Sequence, residues 1–138
     1  MLTQEWAEPK DAEHRLFKAS SDIRDAEGHI LVTAYAVLRP DGQWALMLIN
    51  KDYDNSHTVN ITFHDTEANS DSSFVGPVDR ITFGKEQYTW HSALRNGYAD
   101  PDGPPVRSTL PAGTQRYMLP PASMTVLRGR IGVTSRSN

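Results

Sequence analysis

The run His29-Ile30-Leu31-Val32-Thr33-Ala34-Tyr35-Ala36-Val37-Leu38 constrains this chain more than any other feature. Successive side chains of a strand point to opposite faces, so Ile30, Val32, Ala34, Ala36 and Leu38 share one face and Leu31, Thr33, Tyr35 and Val37 the other. Both faces are apolar, and β-branched or aromatic residues dominate. That is the composition of a central strand covered on both sides.

Arg39-Pro40-Asp41-Gly42-Gln43 follows. Proline sets the first turn dihedral and glycine accepts a positive φ, so the chain reverses here into an antiparallel partner, Trp44-Ala45-Leu46-Met47-Leu48-Ile49-Asn50. After the polar loop Lys51–Ser56, His57–Phe63 alternates Val59, Ile61 and Phe63 with Thr58, Asn60 and Thr62, the pattern of a strand wet on one side. A further strand is expected after Pro77, through Val78, Ile81 and Phe83. Tyr117–Leu119 and Met124–Leu127 form two more, separated by Pro120-Pro121, which cannot donate ladder hydrogen bonds and marks a corner.

With a first strand near Leu16 and Phe17, the count is about seven to eight short strands. The fold class is all-β: a two-sheet antiparallel β-sandwich with Greek-key-like connections. Residues 1–14 are polar and acidic and hold Pro9, which suggests a mostly disordered tail or linker remnant; the sandwich occupies 15–130, and 131–138 form a C-terminal tail that frays after Arg128. Glu86–Arg95 has weak helical periodicity and stays unassigned. From Gly97 through Gly113 the chain carries seven glycines and prolines, too many for a regular element. A loop of that length in a small domain is usually functional or packed on itself.

Composition removes several classes of function. At 138 residues the chain suits one domain, and it contains no cysteine, which excludes disulfides, thiolate metal sites and thiol chemistry. The net charge is −3 with acids and bases interspersed, so neither nucleic acid nor an anionic membrane surface has an electrostatic footprint. No apolar stretch approaches the ~20 residues of a membrane span, and Met1–Trp6 lacks the pattern of a signal peptide. The compartment stays open, a secreted or periplasmic parent protein included.

The five histidines, His14, His29, His57, His64 and His91, are scattered, with no two at the close spacing of a zinc site. His64-Asp65 reads as a polar loop entrance. Asp52, Asp54 and Asn55 offer oxygen ligands in one loop, but a solvated turn is the favoured reading over calcium. No metal or other cofactor is expected. Neither Glu67 with Glu86 nor Asp100 with Asp102 is marked as a working carboxylate pair, and no nucleophile elbow, zinc-protease helix or phosphate-cradling loop is present.

The remaining chemistry is recognition by aromatic faces. Tyr88, Trp90 and His91, followed by Tyr98, Asp100 and Asp102, combine stacking surfaces with hydrogen-bond acceptors in one loop region. A sugar offers a C–H face to a ring and hydroxyls to such acceptors. The competing role is structural, since a long loop needs an anchor, and burial against the sheet is the favoured role for Trp90. Trp44, opening a strand, is expected in the core or at its rim.

Val32-Thr33-Ala34-Tyr35-Ala36-Val37-Leu38-Arg39-Pro40-Asp41-Gly42, then Leu46-Met47-Leu48-Ile49-Asn50-Lys51, and finally Tyr117-Met118-Leu119-Pro120-Pro121-Ala122-Ser123-Met124-Thr125-Val126-Leu127, carry a more specific signal. Together they resemble the C-terminal β-sandwich appended to many (β/α)₈-barrel glycoside hydrolases of the β-xylosidase, glucuronoxylanase and arabinofuranosidase type. In those modules a hydrophobic strand ends in asparagine and the closing pair runs through a leucine-proline-x-serine corner. The resemblance spans about 100 residues, from near His29 to Arg128. It implies a non-catalytic accessory domain that packs on or supports a catalytic barrel. Those enzymes' catalytic glutamates sit on the barrel, which takes about 250 residues, so no catalytic residue carries over to this chain.

Three expectations follow: an accessory module beside a glycoside hydrolase barrel; a carbohydrate-binding module that takes a plant-type polysaccharide or oligosaccharide on the aromatic 84–113 region; or a weakly self-associating domain that pairs through sheet edges.

Overall fold

The computed structural model describes residues 2–9, 11–101 and 103–133. The chain is almost entirely β, and every strand pair is antiparallel. In chain order the elements are α1 (Leu2–Trp6), β1 (Arg15–Phe17), β2 (Val32–Leu38), β3 (Trp44–Asn50), β4 (His57–Asn60), β5 (Phe63–Asp65) and β6 (Ser70–Gly84). There follow β7 (Trp90–His91), β8 (Tyr98–Ala99), β9 (Val106–Leu110), β10 (Arg116–Leu119) and β11 (Ser123–Val133). These eleven strands exceed the expected seven or eight because the long loop contributes three short ones.

The two layers are unequal. One is a seven-stranded sheet in the order β1-β2-β3-β11-β6-β5, with β9 also paired to β6; the other is the pair β10-β4 laid over it. The inner core lies between them and contains Val32, Leu46, Leu48, Val59, Phe74, Val78, Tyr117, Leu119 and Leu127. A row of rings, Phe17, Trp44, Phe63, Phe74 and Tyr117, runs through it with successive centroids 4.7, 5.2, 5.1 and 6.2 Å apart. Trp44 thus sits half-buried in the core rim, as its position at a strand start suggested.

The expected turn forms at Arg39–Gln43: Gly42 takes φ +78° and its amide donates to the Arg39 carbonyl at 3.0 Å. The two-faced strand is only partly as expected. Val32 and Val37 are buried on opposite faces, but Tyr35 is half exposed, because β2 is next to the short edge strand β1 and the sheet centre belongs to β3 and β11. The expected strand 57–63 is split. Its first half pairs with β10 in the small layer, and after Ile61-Thr62 the chain crosses to pair with β6 in the large one. Conversely, the expected strand after Pro77 begins earlier. β6 runs through Gly76 (φ +72°) and Pro77, and the ladder with β11 shifts register between Arg128 and Arg130 to absorb the irregularity.

Two expectations about the termini need correction. Residues 2–6 form a helix rather than part of a disordered tail, and Leu2 and Trp6 cover the outer face of the sheet over Met47, Ile81 and Val126. Its polar residue Glu5 is tied down as well: the carboxylate meets Arg107 at 2.6 Å and Arg128 at 2.7 Å, and its carbonyl accepts from Arg39 at 2.7 Å. Burial pushes the Glu5 carboxyl up, but bonding and charge from Arg107, then Arg128, outweigh it and hold the pKa below its ordinary value. At the other end β11 does not fray after Arg128, since pairing with β6 continues to Val133. The rest of the expected tail, 134–138, lies outside the described residues.

Candidate functional site

The long loop after β6 is organised in three steps. A tight turn opens it, with the amides of Gln87 and Tyr88 donating to the Gly84 carbonyl at 2.9 and 3.1 Å. β7 and β8 then form a small hairpin pairing Trp90 with Ala99 and His91 with Tyr98. Finally Val106–Leu110 joins β6 as a strand, which corrects the expectation that the Gly- and Pro-rich stretch holds no regular element. Pro105 and Pro111 flank that strand without interrupting its ladder, as prolines at strand ends can.

The hairpin gathers the sugar-binding candidates. Tyr88, Trp90 and Tyr98 are 41%, 59% and 59% exposed, so Trp90 is not the buried anchor that was favoured for it. Its ring instead lies over Gly97, where an added Cβ would come within 2.6 Å of Trp90 Cζ2. The loop needs no aromatic anchor because backbone bonds hold it: Gly103 to the Gln87 carbonyl at 2.8 Å and Asp100 to Thr89 at 2.9 Å. His91 stacks on Tyr98 at 4.8 Å, and its Nε2 hydrogen-bonds Asp100 Oδ1 at 2.9 Å. By register His91 and Tyr98 share one face of the hairpin and Trp90 the other, so the rings form two small surfaces rather than one platform. Asp102 lies outside the described residues.

Of the other carboxylates singled out in the sequence, Asp52 and Asp65 are committed elsewhere, whereas those of Asp54, Glu67 and Glu86 are exposed. Asp52 accepts from the amides of Asp54 and Asn55 and bonds His57 Nε2 at 2.9 Å, so the Asp52–Asn55 loop is a turn closed on itself. The His57 bond, then the Asn55 amide, hold the Asp52 pKa down at about 2. Asp65 accepts from the amides of Ala68 and Glu67, which lower its pKa, while His64 bonds Asp71 at 2.8 Å. One cluster escaped notice in the sequence: ligand atoms of Asp25, Glu27 and His29 lie within 4.8 Å of one another on an exposed turn. Asp25 is already occupied there, bonding the His29 amide and ring.

A second feature was only half legible. Asn50, ending β3, is 2% exposed, and its Nδ2 donates to the Pro120 carbonyl at 2.8 Å, to Asn55 at 3.0 Å and, at longer range, to Leu119 at 3.4 Å. Ser123 stands opposite Asn50 in the ladder and donates its hydroxyl to Pro120 at 2.6 Å. The Ala122 amide completes the joint on the Asp52 carbonyl at 2.7 Å. The strand-ending asparagine and the corner Leu119-Pro120-Pro121-Ala122-Ser123, which carries one residue more between proline and serine than the leucine-proline-x-serine pattern, are therefore one hydrogen-bonded unit, though distant in sequence.

Two depressions mark the surface. The broader, about 980 Å³, is open and of mixed character, lined by polar residues such as Asn60, His64 and Arg116 and by Ile61, Phe74 and Tyr117. The narrower, about 150 Å³, lies where β6 and β9 meet the Pro120-Pro121 corner and the turn leading to the hairpin.

No protein-family profile matches the chain, and no curated protein does. Among solved structures, a thermostable GH51 α-L-arabinofuranosidase from Thermotoga petrophila RKU-1 is similar at 12% identity and a TM-score of 0.44, over 73% of this chain and 19% of that one. A protein of unknown function from Acinetobacter sp. ADP1 is similar at 14% identity and a TM-score of 0.31, over 86% of this chain and 87% of that one. The match spans about a fifth of the arabinofuranosidase's length, and neither likeness bears on this chain's chemistry.

Proposed function

We propose that this chain is a non-catalytic β-sandwich accessory module of the kind attached to glycoside hydrolases, supporting or docking on a catalytic barrel. The observation that carries the reading is the joint at Asn50: two of the three stretches on which the resemblance rests meet where its buried amide donates to the Leu119 and Pro120 carbonyls. The test is a panel of aryl glycosides on the purified chain. No turnover is expected; turnover that survives stringent purification and vanishes on changing one carboxylate would refute the reading.

A second role within the same module is favoured by the exposure of Trp90 and Tyr98. Aromatic rings held out by a hairpin, one stacked on a histidine that Asp100 orients, suit the C–H faces and hydroxyls of a plant-type polysaccharide. Calorimetry with xylan, cellulose and arabinan oligosaccharides decides it: heat of binding that Trp90→Ala removes is expected, and no heat with any of them eliminates the role.

A further inference from the structure

The narrow groove is lined by an arginine, Arg80, that makes no ion pair among the described residues. Arg80 and Thr82 from β6 and Val106 from β9 form one side, and Met118, Pro120 and Pro121 the other. Arg80 is half-buried, and its one hydrogen bond among the described residues runs from Nε to Ser108 Oγ at 3.1 Å. The ion pairs that arginines make among the described residues belong to Arg39, Arg107 and Arg128, not to Arg80. A guanidinium has five donors in a rigid fork matched to a carboxylate, and the terminal nitrogens of Arg80 are not among the buried polar atoms, so they stay open to an incoming anion.

The surroundings narrow the class of anion. Lys85 also lines the groove, but its ammonium is turned to Tyr53, donating to the carbonyl at 2.7 Å and lying 4.6 Å from the ring centre. The exposed Glu86 is the one acid among the lining residues, so a bare, highly charged anion is poorly matched. Val106 and Met118 present apolar surface, each more than half exposed. Gln87 gives its Oε1 to the Gly84 amide at 2.9 Å, which leaves its NH₂ to donate. Apolar walls, one amide donor and one fork-shaped cation fit a ring that carries a hydrophobic face, hydroxyls and a single carboxylate.

We propose that this groove binds a uronic acid unit, with its carboxylate on Arg80. The choice of a sugar rests on the carbohydrate reading of the hairpin, whose first strand begins at Trp90, three residues along the chain from Gln87 in the groove wall.

The experiment is a titration of the whole chain, observed by backbone amide NMR, with glucuronate, glucose and acetate at matched ionic strength. Glucuronate is expected to shift the amides of Arg80, Gln87 and Val106, with affinity at least about tenfold above glucose and acetate, as loss of a charge-assisted hydrogen bond would give. Arg80→Gln should abolish those shifts. Val106→Trp, which fills the groove from an exposed position and keeps Arg80, should abolish them too and guards against misfolding of the first variant. Acetate binding as well as glucuronate would overturn the proposal in favour of a generic anion site; so would equal binding of glucose, or shifts that persist in both variants. Neutral oligosaccharides that perturb Trp90 and Tyr98 while glucuronate leaves the groove silent would overturn the groove and keep the hairpin reading. The reverse pattern, glucuronate in the groove and a hairpin silent to every oligosaccharide, would support the groove and remove the hairpin's role.

Discussion

The joint at Asn50 and the hairpin at Trp90 put polar and apolar groups to opposite use. At the joint a buried amide and a serine hydroxyl satisfy carbonyls at a layer crossing, with Leu119 and Leu127 packed behind them. At the hairpin two ladder pairs hold large rings out in solvent. Exposed rings contribute little to folding, whereas an unmade bond at the joint leaves carbonyls unpaired in a dry place. The contrast separates what the chain needs to fold from what it has available to recognise something else.

The largest effect should come from Asn50→Ala, which removes the buried amide's bonds to the Pro120, Asn55 and Leu119 carbonyls, leaving Pro120 with Ser123 alone, and should cost about 3 kcal/mol in urea unfolding. A loss under about 1 kcal/mol would mean that the joint is not the structural centre assigned to it. Removing residues 1–8 uncovers Met47, Ile81 and Val126, and a loss of about 2 kcal/mol is expected from the apolar area returned to water. An unchanged midpoint would return that segment to the status of a tail.

Acid sharpens the comparison from another side. The Asp52 carboxyl titrates at about 2 in the folded chain against an ordinary 3.8, so it adds stability that is fully present above pH 4 and is lost as pH falls through about 2. Melting temperatures recorded across that window should fall less steeply for Asp52→Asn than for the parent chain. The smallest effect belongs to the hairpin: Trp90→Ala and Tyr98→Ala should move stability by no more than ~0.5 kcal/mol, as for other surface positions. A large loss in either would show the rings to be structural after all.

Where physics is local, the sequence was legible. Pro40-Asp41-Gly42 specifies its turn within five residues, and the alternation around Val59 marks a strand whatever lies above it. The helix at Leu2–Trp6 was not, because its apolar residues, four apart, gain their value from Met47, Ile81 and Val126 far along the chain. Nor was β9, whose Val-Arg-Ser-Thr-Leu looks like loop between prolines until β6 offers it an edge. For the candidate site, the residue types of the hairpin could be named in advance, but not their separation onto two faces or the exposure of Trp90. Arg80 gave no signal at all, since whether an arginine finds an ion-pair partner depends on which carboxylates the fold brings beside it.

The position of β11 has a consequence for how the chain is made. The last strand of the described chain lies in the middle of the large sheet, between β3 and β6. Until it emerges, β1–β3 and the β5–β6–β9 group are separate half-sheets with raw edges facing each other. Assembly must wait until β11 has been made, and a chain cut off before Ser123 would carry two half-sheets with sticky edges on one thread.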